Sequence, residues 1–352
     1  MSNILSFPSR PRVAQTLPLA GLAEAVRQGR HAQSNVLWLK ENAELLGMMA
    51  ACGLSLPDTA LAAYEETYNS IPEQMKLYPQ YYRFWLSICL DLEDLGLGGP
   101  LGADLCGWAD DAGLADAELS DLQRAEARRL LKRRGVGRDV RDGALGDRLR
   151  HFTNRSGTFA LPNKKAAYEL THIVFYLSDY GRQDPGLDGC TLTSLEYAGV
   201  LAFLDQDMDL LAEVCTALRY AGLTPSPVWT EAIAAAHRGM YLHSQPGAPL
   251  NDGFHAYLVT GWALQTEGQE GFTAPVPTGP LRFDADGPRL GALRPMSAWL
   301  GETAQRPRKR GDWGAVRADI LNRLCETRRA VLERAERSTP AFAAFFERFA
   351  RV

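Results

Sequence analysis

The sequence predicts an all-α protein of stacked helix pairs, closed into an α/α toroid or strung out as an α-solenoid, with a short loop or β-hairpin insertion. Three observations carry this. Apolar residues recur at three- and four-residue intervals through most of the 352 residues. The periodic stretches are bracketed by Asn, Ser, Asp or Pro in front and Gly behind, the start and stop signals of helices. Glycines at expected helix ends (Gly53, Gly96, Gly137, Gly181, Gly222 and Gly268) stand 41–46 residues apart. That interval is the length of a helix pair. A closed ring of such pairs turns alternate helices toward a central cavity.

Composition narrows the function classes. Hydrophobic residues at 46% and charged residues at 23% are ordinary for a globular chain, and a net charge of −4 gives no global reason for a nucleic-acid partner. The cysteines (Cys52, Cys89, Cys106, Cys190, Cys215, Cys325) form no C-x-x-C pair, which reads as reduced thiols rather than a zinc ribbon. Met1–Arg30 lacks a basic segment followed by an apolar run, and no apolar run approaches the roughly 18 residues of a membrane span. The expectation is a cytoplasmic protein with no membrane partner.

Residues 1–18, with three prolines, read as a flexible tail, and residues 19–272 as a helix-pair repeat domain. Within it, Asn35–Cys52 places Val36, Leu39, Ala43, Leu46 and Ala50 on one face. Pro57-Asp58 opens the next helix, and Tyr78–Gly96 reads as buried and aromatic. Asn163–Gly181 is the best-punctuated helix, with a stripe of Leu170, Ile173, Val174 and Leu177. Thr193 and Glu196 fit a capping box, and Asp207–Ala221 places Met208, Leu211, Cys215 and Leu218 together. Ser226-Pro227 starts a helix whose stripe runs through Trp229, Ile233, Ala236, Met240 and His243. Asn251–Gly268 gathers His255, Leu258, Val259 and Trp262. Residues 273–295 form a Pro/Gly-rich insertion in which Leu281-Arg282-Phe283 before Asp284–Gly287 fits a short hairpin. Residues 296–352, after the basic linker Arg306–Arg310, supply C-terminal helices packed on the main domain.

The residues best suited to chemistry lie beside the apolar stripe of Asn163–Gly181. Glu169, His172, Tyr176 and Asp179 share an arc of roughly 80° that carries no Lys or Arg. Glu169-x-x-His172 has the carboxylate–histidine spacing that holds iron or manganese in helical bundles. Asp252-x-x-His255 repeats the spacing, so Glu169, His172, Asp252 and His255 form a candidate ligand set for divalent Zn, Fe or Mn. Asp252 equally fits the N-cap of its own helix. Without a metal, His172 is the candidate general base, oriented by Glu169 or Asp179, with Tyr176 as proton donor. Asp205, Asp207 and Asp209 read as an acidic helix start, because Leu210 stands where a calcium loop needs glycine. No nucleophile elbow, P-loop or dinucleotide fingerprint is present. The arginine-rich run 124–150 is either an anion or nucleic-acid patch or a solvated face paired with Asp and Glu. It lacks aromatic residues for base stacking until Phe152, so nucleic acid is the least favoured partner.

The segments ELTHIVFYLSDYG and DGFHAYLVTGWAL resemble segments of a group of uncharacterised bacterial all-helical proteins. The resemblance implies no activity, but it implies that Glu169, His172, Asp179 and His255 belong to one recurring feature. The leading expectation is therefore an enzyme or small-molecule binder whose cavity holds these residues. A helical-repeat scaffold for protein partners is the competing class, and a cavity containing both His172 and His255 would favour the first.

Overall fold

Helix forms over most of the stretches where the spacing predicts it, and among the described residues strand is confined to two five-residue segments. The computed structural model describes residues 16–137, 143–247, 252–302 and 311–351. Residues 1–15 of the expected tail, Arg138 and Arg141 of the arginine-rich run, Asn251 and the linker Arg306–Arg310 lie outside the described residues. In chain order the elements are α1 (Thr16–Gly29), α2 (Val36–Ala51), α3 (Asp58–Ala62), α4 (Glu65–Leu77), α5 (Tyr82–Asp94), α6 (Leu101–Asp111) and α7 (Asp121–Lys132). Then come α8 (Leu145–Thr153), α9 (Ser156–Phe159), α10 (Lys164–Leu177), α11 (Gly189–Asp205), α12 (Met208–Tyr220) and α13 (Pro227–Arg238). The rest are β1 (Met240–Ser244), α14 (Phe254–Thr266), β2 (Leu281–Ala285), α15 (Leu293–Glu302), α16 (Trp313–Asn322), α17 (Glu326–Ser338) and α18 (Phe342–Phe349). The protein is all-α with one small antiparallel sheet. Among the described residues no helix is long and apolar enough to cross a membrane.

Capping side chains set several helix starts, because the first N–H groups of a helix have no partner inside it. Asn35, Ser120, Asn163, Asp207 and Asp312 each accept from a backbone N–H two or three residues on. At α11 the cap is Asp188, which accepts from Thr191 N, so the expected capping box at Thr193 and Glu196 falls inside the helix. There the Thr193 hydroxyl donates back to Gly189 O, and Glu196 accepts from Thr339. Helix α10 stops four residues short of Gly181. Asp179, Tyr180 and Gly181 all take positive φ (45°, 55° and 84°), which unwinds the chain and carries Asp179 off the helical arc. Helix α13 ends at Arg238, and Met240 and His243 enter β1 instead of its stripe. The partner of β2 is this β1, registered Met240↔Ala285 to Ser244↔Leu281, rather than a strand within residues 273–295.

The molecule is organised around α12, which is enclosed on all sides by α10, α11, α13 and α14. Leu211, Val214, Cys215 and Ala217 have no exposed surface. Burying a side chain of leucine or valine size stabilises by about 1.5–3 kcal/mol, so a helix of this composition can tolerate polar residues within it. Helices α2, α5, α7, α10, α12 and α14 pack in chain order, each against the next. Each is followed by one of the six regularly spaced glycines, and every one of those glycines has positive φ, a conformation that favours glycine after a helix. Ion pairs at the end of α1 link α2 to the segment just before α14. Arg30, with 1% of its side chain exposed, binds Glu41 of α2 at 2.6 Å and Asp252, just before α14, at 2.7 Å. On the outside, α17 braces α11 and α13.

Candidate functional site

The six glycine-terminated helices supply the walls of one cavity of about 80 Å³. Helix α2 contributes Glu44, α5 Ser87 and Asp91, α7 Arg129, α10 His172 and Phe175, α12 Glu213, and α14 His255 and Trp262. Tyr180, Arg133 and Arg182 complete it from the segments after α10 and α7. The two histidines, 83 positions apart in the chain, therefore share one space.

From α12, Glu213 lines the polar end of the cavity, and Asp209, one turn earlier, sits at its edge outside the lining. Asp209 and Glu213 are four residues apart, which puts both carboxylates on one helix face. Asp209, Glu213 and His255 each bring a ligand atom within 4.8 Å of the other two. His255 Nδ1 and Asp209 Oδ2 are 2.6 Å apart, and His255 Nε2 lies 3.9 Å from Glu213 Oε1. Both carboxylates are held from behind. The Tyr168 hydroxyl donates to Asp209 Oδ1 at 2.7 Å, and the Thr171 hydroxyl donates to Glu213 Oε2 at 2.6 Å. His172 Nδ1 is 2.8 Å from Tyr168 O and 3.5 Å from Glu213 Oε2. A carbonyl oxygen only accepts, so Nδ1 carries the hydrogen and a neutral ring keeps its lone pair on Nε2.

Burial and charge divide these groups. Burial raises the Glu213 carboxyl, which is 2% exposed, above the ordinary glutamate range, against the opposing pull of His172 and His255. Burial likewise raises Glu44 on the facing helix. Asp209 goes the other way. Burial pushes it up, but the hydrogen bond and charge of His255 and the Tyr168 hydrogen bond prevail and hold it low. For His255, burial is outweighed by the Asp209 hydrogen bond and the charges of Asp209, Glu44 and Glu213, which lift it to about 9. With no other cation in place, His255 and Asp209 are an ion pair at neutral pH.

Beyond this cluster the cavity turns aromatic and then basic. Phe175, Tyr180 and Trp262 pack with ring centroids 4.9–5.9 Å apart, and Arg129 lies 4.6 Å over the Tyr180 ring. Arg129 also binds Asp179 at 3.1 Å, and Arg133 binds Asp91 at 2.8 Å.

Of the residues singled out from sequence, His172 and His255 come together in the cavity, and Glu169 and Asp252 do not line it. Glu169 is half-buried a turn before His172. Asp252 accepts two bonds from Arg30 and one each from Phe254 N and Phe283 N, which uses its oxygens to tie the start of α14 to α1 and β2, while the N-cap position itself falls to Gly253. Tyr176 lies behind His172, its hydroxyl pushed well up by burial, and lines an outer cavity together with Asp179. The arginine-rich run is woven into ion pairs across helices: Arg128 with Asp116, Arg134 with Glu93 and Asp94, and Arg148 with Asp121. Sequence reasoning missed Glu44 and Glu213. Glu44 pairs with Lys40, four residues earlier, at 3.7 Å, a spacing common on solvated helix faces that gives no sign of a cavity. Glu213 had a readable signal: one carboxylate inside the apolar run LLAEVCTAL, where burial is costly unless the group has a use.

The chain belongs to the family described as Domain of unknown function (DUF6902), whose profile matches residues 1–352. No curated protein and no solved structure matches it.

Proposed function

We propose that the cavity is the active site of an enzyme acting on a small molecule, with a divalent cation (zinc, manganese or iron) at Asp209, Glu213 and His255. The observation that carries the reading is that both carboxylates are held by hydroxyls of α10, Tyr168 on Asp209 and Thr171 on Glu213, with His255 set against the two of them. Metal-ligating histidines and carboxylates are oriented by such outer partners. The distances fit. Ligands about 2.1 Å from a zinc ion at tetrahedral angles stand about 3.4 Å apart, so atoms within 4.8 Å of one another need move only about an ångström. Two carboxylates and one imidazole suit a borderline or hard cation.

When bound, the cation supplies Lewis-acid chemistry to a substrate oxygen or a bound water. The remaining roles belong to the chain. His172, with its Nδ1 hydrogen committed to Tyr168 O, offers Nε2 as a base. Thr171 and Tyr168 fix the carboxylates. The wall of Phe175, Tyr180 and Trp262 restricts water and gives the substrate an apolar surface. A metal-free reading has one specific support: His255, lifted to about 9 by Asp209, Glu44 and Glu213 despite its burial, is a competent general acid.

Both readings favour an enzyme over a protein-interaction scaffold, because Glu44, His172, Glu213 and His255 line one cavity. The six helices that wall it, packed in chain order with the first and last linked through Arg30, support an α/α toroid as the architecture. Cysteines that are all free support a reducing compartment such as the cytoplasm.

The test is elemental analysis of tag-free protein from metal-replete growth, wild type beside His255→Gln. Near-stoichiometric metal in the wild type and its loss in the variant support the cation site. Metal-free wild type overturns it and leaves the His255–Asp209 proton pair.

A further inference from the structure

Arg129 and Arg133 line a second, outer cavity as well as the inner one. Its volume is about 480 Å³, within the range of small-ligand pockets. Its ionic wall consists of Arg128, Arg129, Lys132, Arg133 and Arg150 against Asp179 and Asp184, an excess of positive charge. Three of the arginines have carboxylate partners: Arg128 on Asp116, Arg129 on Asp179, and Arg133 on Asp91 and Asp94.

Lys132 and Arg150 differ. Lys132 Nζ is 3.5 Å from Gln183 Oε1, and Arg150 Nη2 donates to Pro185 O at 2.8 Å. Both acceptors are neutral, and among the described residues no carboxylate stands within ion-pair distance of either charge. Asp184, which could have done so, accepts from Gly186 N at 2.8 Å. A further donor is unsatisfied. Arg129 Nε is shut away from solvent and has no acceptor among the described residues. Buried donors are rarely left so unless something else binds them.

We propose that the outer cavity binds the anionic group of the substrate, a phosphate or carboxylate on a small organic molecule. Arg129 and Arg133, shared by both cavities, pass that molecule inward past Tyr180. The proposal rests on the inner cavity being the active site and names its substrate class. Arginine forks suit either oxyanion. Leu145, Leu149 and Leu177 give the outer cavity an apolar side for a carbon skeleton. Nucleic acid fits less well: Tyr176 is the one aromatic ring in this wall, and it is engaged with Arg129 and His172 rather than offering a face for base stacking.

The experiment is isothermal titration of the full chain with phenyl phosphate and, separately, with benzoate, both weak metal chelators, at matched chloride ionic strength. Wild type is compared with Lys132→Ala/Arg150→Ala and with Lys132→Glu. Lys132 is exposed, so the single variant leaves folding undisturbed. At least one probe binds the wild type and weakens about tenfold or more in both variants, as loss or reversal of a close charge requires. Phenyl phosphate alone identifies a phosphate site, and benzoate alone a carboxylate site. Metal content, measured on the same samples, stays at the wild-type level, so failure of the anion site is distinguishable from failure of the cation site. Neither probe binding, or equal binding to all three proteins, overturns the proposal. Tight, steeply salt-dependent binding of an oligonucleotide that vanishes in the variants overturns it in favour of nucleic acid.

Discussion

Substituting Glu213 by glutamine separates a functional carboxylate from a structural one. The change preserves volume, and the glutamine oxygen can still accept the Thr171 hydroxyl that Glu213 accepts at 2.6 Å. What it removes is a buried negative charge whose carboxyl is already pushed upward by burial. If Glu213 served only to pair with His172 and His255, its loss would break a buried ionic network, at about 3–5 kcal/mol. An unfolding entropy of about 2.1 cal/mol/K per residue gives roughly 0.7 kcal/mol/K for this chain, so the structural role predicts a Tm lower by about 4–7 °C. The cation-site account predicts otherwise. Chelator-stripped Glu213→Gln melts at or above the stripped wild type, because the neutral side chain no longer suffers burial as an ion. Added zinc or manganese at a hundred times Kd stabilises the wild type by about 2.7 kcal/mol, near 4 °C, and leaves the variant unmoved. Scanning calorimetry of the four samples reads all of this directly. A stripped variant melting 4 °C or more below wild type, or a metal shift of equal size in both proteins, refutes the reasoning.

Other outcomes follow from the same geometry. Arg30→Met removes the cation that joins α1, α2 and the start of α14, leaving Glu41 and Asp252 without it. Its Tm falls by about 4–7 °C, the cost of breaking a buried pair, as calorimetry checks. Gly271→Ala places a methyl group 2.0 Å from the Gly261 carbonyl oxygen, and backbone cannot yield as a flexible side chain can. It destabilises by about 1–3 kcal/mol or more, readable as a lowered denaturant midpoint. His237 stacks on Tyr257 and bonds Thr260 at 2.8 Å, and burial holds its pKa below 6.5. Its unfolded form takes a proton that the folded form refuses, so its contribution is full above pH 6.5 and is lost as pH falls from there toward the folded pKa. The Tm difference between wild type and His237→Gln accordingly shrinks on going from pH 7.5 to 5.5, and a difference independent of pH contradicts this.

Much of this fold was legible because its signals are local. Helix periodicity and capping residues lie within a few residues of one another, and the six spaced glycines mark the ends of the very helices that wall the cavity. The partners of His172 and His255 were not legible from the Glu-x-x-His and Asp-x-x-His spacings. Asp252 was taken by Arg30, 222 positions away, a competitor that no local pattern reveals. The acidic residues at the cluster come instead from α12, where Asp209 resembled a helix-start aspartate and Glu213 lay in an apolar run. Likewise Met240–Ser244 continued an apolar helical stripe, and only its pairing with Leu281–Ala285 made it a strand. Long-range pairing decides such segments, and propensity does not report it.

The central claim is that a divalent cation sits among Asp209, Glu213 and His255. The most direct test is a crystal structure of protein grown with zinc or manganese, with anomalous differences collected on both sides of the metal edge. The account predicts one strong peak bonded to Glu213 and His255 at about 2.0–2.2 Å, with Asp209 completing the set. No peak in the cavity, or a peak held by other residues with the His255–Asp209 hydrogen bond intact at 2.6 Å, would contradict it.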